Sequence, residues 1–122
     1  LIIDAVGSKI FFKIISNDKS YTSDYPNSRE NFDKFTILLF NFLEKNKINI
    51  KEINNIFVNQ GPGKFSGIRT SVSVAKALNF TNKLNLYGFD SELVKNQNYD
   101  KIIDLFNKGH LIKNLIKPQY SS

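Results

Sequence analysis

Asn59-Gln60-Gly61-Pro62-Gly63-Lys64-Phe65-Ser66-Gly67-Ile68-Arg69 places three glycines within seven residues, between the apolar run Ile56-Phe57-Val58 and a long segment of helical character. Glycine permits a tight turn and lets backbone approach backbone, so the stretch reads as a strand-to-helix junction with Ser66 as the helix N-cap. Something sits close to it. A phosphate is the usual occupant of such a helix start. The spacing is not a Walker loop, because no Ser or Thr follows Lys64, and it is not GxGxxG, because Ser66 stands in the third glycine's place. Spacing alone leaves two readings open, a structural turn and a contact with a ligand or partner.

Outward from this junction the periodicity alternates between strand and helix. Leu1 to Val6 is a buried-strand run, Gly7-Ser8 a turn, and Lys9 to Ser16 a second β-rich run, so the two form a hairpin. Asn17-Asp18 turns the chain again, and Lys19 to about Tyr25 continues as a polar strand suited to a sheet edge. A helix is predicted from Ser28 or Arg29 to Lys47, a fourth strand over Asn55 to Asn59, a second helix from Ser66 to about Asn82, and a fifth strand over Leu84 to Phe89. The order β-β-β-α-β-α-β is that of a ribonuclease-H-like α/β fold: a mixed five-stranded sheet flanked by helices. Beyond Asp90, short helical pieces fill Glu92 to Lys117. The last is expected to be an amphipathic tail helix carrying Lys108, Lys113 and Lys117 beside Ile112, Leu115 and Ile116, stopped by Pro118.

Composition bounds the function. A chain of 122 residues suffices for one ordinary domain or two half-size lobes, and 41% apolar with 23% charged residues is globular rather than disordered. The absence of Cys removes disulfides and thiolate chemistry, and a single His, His110, rules out multi-histidine metal sites and reads as a surface residue. No stretch approaches the roughly 18 apolar residues of a membrane span. A soluble, cytoplasmic protein without a signal peptide is expected. The net charge of +6 is uneven: residues 1 to 60 hold eight Lys or Arg against seven Asp or Glu, and residues 61 to 122 hold nine against four. Such a basic half suits RNA, an acidic protein partner, or simply a solvated lysine surface.

The segment Gly61-Pro62-Gly63-Lys64-Phe65-Ser66-Gly67-Ile68-Arg69 resembles the GPGSFTGLR signature of the bacterial tRNA threonylcarbamoyladenosine biosynthesis family TsaB, also called YeaZ. Ile2-Ile3-Asp4 resembles the family's first strand, Ala75-Lys76-Ala77-Leu78 its AKGL helix, Ser91-Glu92-Leu93 its SSLE turn, and Pro118-Gln119-Tyr120 its terminal P-x-Y. Three departures stand beside these matches. Asp4-Ala5-Val6 replaces the common Asp-Thr-Ser, Asn27-Ser28-Arg29 replaces His-Ser-Glu, and the chain has about half the family's usual length. The resemblance therefore implies one actin-like ATPase lobe over residues 1–92 and a reduced helical segment over 93–122, with most of the second lobe deleted.

The resemblance also implies a noncatalytic subunit. It would bind a TsaD-like protein, which carries the metal and the threonylcarbamoyl-transfer site, with a TsaE-like ATPase joining the pair and tRNA reached through the complex. No cofactor of its own is implied, since ATP and metal belong to the partner subunits. The residues of the partner surface would lie on the two helices and the glycine loop: Leu38, Phe40, Gly61, Pro62, Gly63, Phe65, Gly67, Arg69, Ser71 and Ala75.

Residue patterns independently suggest such a surface. Phe32, Phe35, Leu39, Phe42 and Leu43 fall on one face of the first helix, with Leu38 and Phe40 on either side. The apolar arc spans roughly 200°, twice what one contact needs. Gly67, Ser71 and Ala75 recur every four residues on the second helix, a spacing that lets another helix approach. Coverage of Ile37 and Phe40 by the chain's own carboxyl-terminal helices is the alternative. A homodimeric module using the same faces is another, since an apolar helix pair can meet its own copy across a two-fold axis. Arg69 would brace the loop carbonyls or meet a partner carboxylate. A metal-dependent nuclease would need carboxylates at Asp4 and at the end of the fourth strand, where Asn59-Gln60 stands instead, while Asp90 and Glu92 lie beyond the fifth strand.

Overall fold

The computed structural model describes residues 1–113, with backbone alone at 95–97 and 112–113. Three antiparallel strands come first: β1 (Ile2–Asp4), β2 (Lys9–Ser16) and β3 (Lys19–Pro26). Helices α1 (Arg29–Asp33) and α2 (Phe35–Lys45) follow, then β4 (Asn55–Asn59), α3 (Phe65–Asn82), β5 (Asn85–Phe89), α4 (Asp100–Asn107) and β6 (Ile112–Lys113). The sheet order is β3-β2-β1-β4-β5-β6. The five strands read from the sequence thus share one mixed sheet, with β4 parallel to both β1 and β5 and the polar β3 at an edge.

Alternation along the strands divides the core into two layers. Ile3, Ile10, Phe12, Ile14, Ile56, Val58 and Leu86 pack with Phe35, Leu39, Phe42 and Leu43 of α2 and with Ile68, Val72 and Leu78 of α3. Ile2, Phe57 and Phe89 point to the opposite face, where Val94, Tyr99 and Ile102 cover them. The period of two in the strands and of 3.6 in the helices leaves no other way to bury both sets.

Two predicted elements differ. The first helix breaks at Lys34, whose φ and ψ of −107° and 13° close α1. Its first turn is pinned at one end, where Ser28 Oγ accepts from Asn31 N and Asn31 Nδ2 donates to the Pro26 carbonyl at 2.7 Å. The next turn is fixed by Phe35, seated edge-on against Phe12 with ring centres 5.4 Å apart. One straight helix does not satisfy both anchors. At the far end, the tail helix predicted from Lys108 is not formed over residues 109–113. Gly109 adopts a φ of +72°, which halts α4, and Ile112–Lys113 instead pairs antiparallel with the otherwise open edge of β5. Leu115, Ile116, Lys117 and the Pro118-Gln119-Tyr120 likeness lie outside the described residues.

Candidate partner-binding surface

The glycine junction is packed against the first strand. A Cβ built on Gly67 collides with the Ala5 carbonyl oxygen, and one on Gly63 lies 2.6 Å from Val6 Cβ. Both positions tolerate no side chain without displacing backbone. Lys64 N donates to the Val6 carbonyl at 3.1 Å, which sets the start of α3. Ser66 is not the N-cap. The helix begins one residue earlier at Phe65, with Lys64 at the cap and no side-chain cap bond, because the strand rather than a hydroxyl fixes its first turn.

The loop's far side is tied to the segment after β5. Gly61 N donates to Asn59 Oδ1 at 2.9 Å, Ser91 N donates to the Gly61 carbonyl at 2.9 Å, and Ser91 Oγ donates to the Pro62 carbonyl at 2.8 Å. Gln60 Nε2 donates to Asp90 at 3.0 Å. Asn27, to which the resemblance assigns no role, braces the β1–β2 turn: its Nδ2 donates to the carbonyls of Ala5 and Gly7, and its backbone N to that of Ser8. The loop is thus a structural keystone whose backbone polar groups are largely spoken for.

Asp4 lies at the end of β1 and is 8% exposed. Its Oδ1 accepts from Val6 N at 3.3 Å and its Oδ2 from the Tyr99 hydroxyl at 2.7 Å. Tyr99 stacks on Phe11 at 4.9 Å. Burial, then the charge of Asp4 and the hydrogen bond to it, push the Tyr99 phenol well above its ordinary pKa. A cleft of about 390 Å³ beside this pair is lined by Asp4, Gly7, Lys9, Phe11, Asn59 and Tyr99. Among the described residues no three carboxylate or His side chains gather as metal ligands.

The lobe resembles solved structures of known proteins. YeaZ from Pseudomonas aeruginosa superposes with a TM-score of 0.72 at 14% identity, over 88% of this chain and 48% of that one. An uncharacterized protein with similarity to peptidase YEAZ from the same organism gives 0.72 and 14%, over 81% and 46%. The TsaB tRNA threonylcarbamoyladenosine biosynthesis protein of Buchnera aphidicola subsp. Schizaphis graminum (strain Sg) is 32% identical over 63 residues, 52% of this chain and 30% of that protein. The model of the family described as TsaD: tRNA N6-adenosine threonylcarbamoyltransferase matches residues 14–94, more than half of the chain. The chain belongs to that family, as a TsaB/YeaZ-type member. It spans about half the length of the solved relatives.

In this TsaB/YeaZ-type lobe the expected surface residues separate into two groups. Gly67, Ser71 and Ala75 are buried, so the four-residue spacing of small side chains serves approach to the sheet rather than to a second chain. Ser71 is 0% exposed, and its hydroxyl donates to the Ile68 carbonyl at 3.1 Å. Gly61 is buried as well, and Leu38 is partly buried against the core. Pro62, Phe65, Arg69 and Phe40 are exposed, Gly63 partly so. Arg69 is not among the loop's bracing residues: its guanidinium lies 5.8 Å from the Phe65 ring centre, over the ring.

Helix α4 packs on the other face of the sheet, so it does not cover α2. Ile37 remains 60% exposed and Phe40 38%. The sequence reading missed Phe80 at 86% exposure, together with Asn27, Ser91 and Tyr99. Phe80 was legible in principle, since it falls opposite Ser71 on the helical wheel of α3; Asn27 and Tyr99 are set by tertiary contacts and carry no local signal, and Ser91 is marked only by its place in the Ser91-Glu92-Leu93 likeness.

Proposed function

We propose that this chain is the noncatalytic subunit of a complex that forms threonylcarbamoyladenosine in tRNA beside the anticodon, binding and supporting a TsaD-like catalytic subunit. The observation that carries the reading is the state of Asp4 in a chain matched by this family's model: the strand-1 carboxylate is bonded on both oxygens by the chain itself. Metal bridging there would also need a second carboxylate at the end of β4, where Asn59 and Gln60 stand instead. The exposed apolar residues of α2 and α3 supply the surface for the partner. In this proposal nucleotide and metal belong to the partner subunits, a TsaE-like ATPase completes the assembly, tRNA is reached through the complex, and the setting is the cytoplasm.

The test is reconstitution with the TsaD-like and TsaE-like proteins of the same genome. Threonylcarbamoyladenosine in tRNA, measured by nucleoside mass spectrometry, is expected only when this chain is present, and Asp4→Asn in this chain should leave the yield intact once folding is confirmed. Equal yield without the chain, or a folded Asp4→Asn protein that abolishes turnover, overturns the reading.

A further inference from the structure

At the end of the sheet away from the glycine loop lies a groove of about 760 Å³. Its walls are Leu1 just before β1, Ile15 near the end of β2, Asn55 and Phe57 of β4, and Ile103 and Phe106 of α4. Ile15 is 36% exposed, and Ile103 and Phe106 are only partly buried. Three apolar side chains from two elements thus meet water along one groove. The charged residues of the lining balance, Lys19 and Lys47 against Asp18 and Glu52, so apolar burial rather than charge selects what fills it.

The register of β6 aims the chain at this groove. Ile112 pairs with Gly88 and Lys113 with Tyr87 in antiparallel sense, so the backbone leaves Lys113 in the direction of Asn85, where β5 begins. Asn85 pairs with Asn55, and Asn55 is itself a groove residue. Two further residues bring the chain level with Asn85, which leaves residues 116–122 with a reach of about 23 Å. The β2 wall of the groove stands three strands from β5, a distance of about 14 Å. Composition suits the site as well, since Leu115, Ile116, Pro118 and Tyr120 fall within residues 114–122.

We infer that residues 114–122 fold back into this groove and set their apolar side chains against Ile15, Ile103 and Phe106, strapping α4 to the first hairpin. The inference is independent of the partnership proposed above, and it makes these residues part of the lobe rather than a free basic arm. Tethering decides the occupant. The pairing of β6 with β5 holds the segment beside the groove at an effective concentration far above that of a second copy or a separate protein in dilute solution.

The chain has no Cys, so one introduced thiol reports one place. The experiment compares the rate of maleimide labelling of Ile15→Cys, in the groove, with that of Ile37→Cys on α2, a position 60% exposed. Circular dichroism confirms each fold. The groove thiol should react at least about tenfold more slowly than the control, because reaction requires the segment to leave. Adding Leu115→Asp and Ile116→Asp should raise the groove rate at least about fivefold, since a charge in an apolar groove is unfavourable, and leave the Ile37→Cys rate unchanged. Where that double variant unfolds, Tyr120→Ala serves in its place, with a rise in the same direction. A groove thiol as fast as the control, or one whose rate the substitutions at 115, 116 and 120 leave unchanged, overturns the inference. Slowing that grows with protein concentration assigns the groove to a second copy and overturns it as well.

Discussion

The Tyr99 hydroxyl donates to Asp4 Oδ2 at 2.7 Å, closing a contact across 95 positions of chain. It ties the segment after β5 to the end of the first strand, with the Phe11 ring stacked on Tyr99. A buried carboxylate needs such a donor, because an unpaired one inside the lobe carries a desolvation cost.

Tyr99→Phe removes the donor and keeps the ring. The expected loss is about 1.5–3 kcal/mol of unfolding free energy, the range for a hydrogen bond to a charged group. Urea denaturation at neutral pH measures it. A loss under about 0.5 kcal/mol, below that range, would show that water takes the hydroxyl's place.

Raised pH should act through the same residue. The phenol is held above its ordinary value in the folded chain, so the unfolded chain loses this proton first, from about pH 10. Stability from this group is complete below that pH and falls as pH rises beyond it, by at most about 1.4 kcal/mol per pH unit. Denaturant midpoints at pH 8, 10 and 11 should decline for wild type, and the decline should be shallower in Tyr99→Phe. Parallel curves for the two proteins would contradict it.

Gly67→Ala reverses the usual helix preference. Within a helix, Ala is ordinarily favoured over Gly by about 1 kcal/mol, yet here the added methyl meets the Ala5 carbonyl oxygen. Backbone must shift, at a typical cost of about 1–3 kcal/mol. A thermal melt should show a lowered midpoint, and a raised one would mean that α3 stands off the strand.

Ser71 tests which side of α3 faces the sheet. Ser71→Asp puts a charge where the side chain is fully buried, so the lobe should unfold or lose several kcal/mol. Lys76→Glu, on the opposite side, should change the melting midpoint by no more than an ordinary surface substitution does. Equal midpoints for the two variants would place Ser71 at the surface.

Much of this architecture is written locally. The strand runs, the turn at Asn17-Asp18 and the glycine cluster specify where elements begin and how they alternate, because period and turn chemistry act over a few residues. The signature around Gly61 to Arg69 carries the family likeness for the same reason. Tertiary structure decided the rest. Gly67, Ser71 and Ala75 have a spacing that suits a helix partner and a sheet equally, and only the position of Ala5 beneath α3 chose the sheet. Lys34 breaks the first helix because Pro26 and Phe12 anchor its two halves from other strands. Ile112–Lys113 became a strand because β5 offered an unpaired edge. The pairing of Tyr99 with Asp4 likewise depends on which distant backbone comes near, a matter of global packing to which helical and strand periodicity are blind.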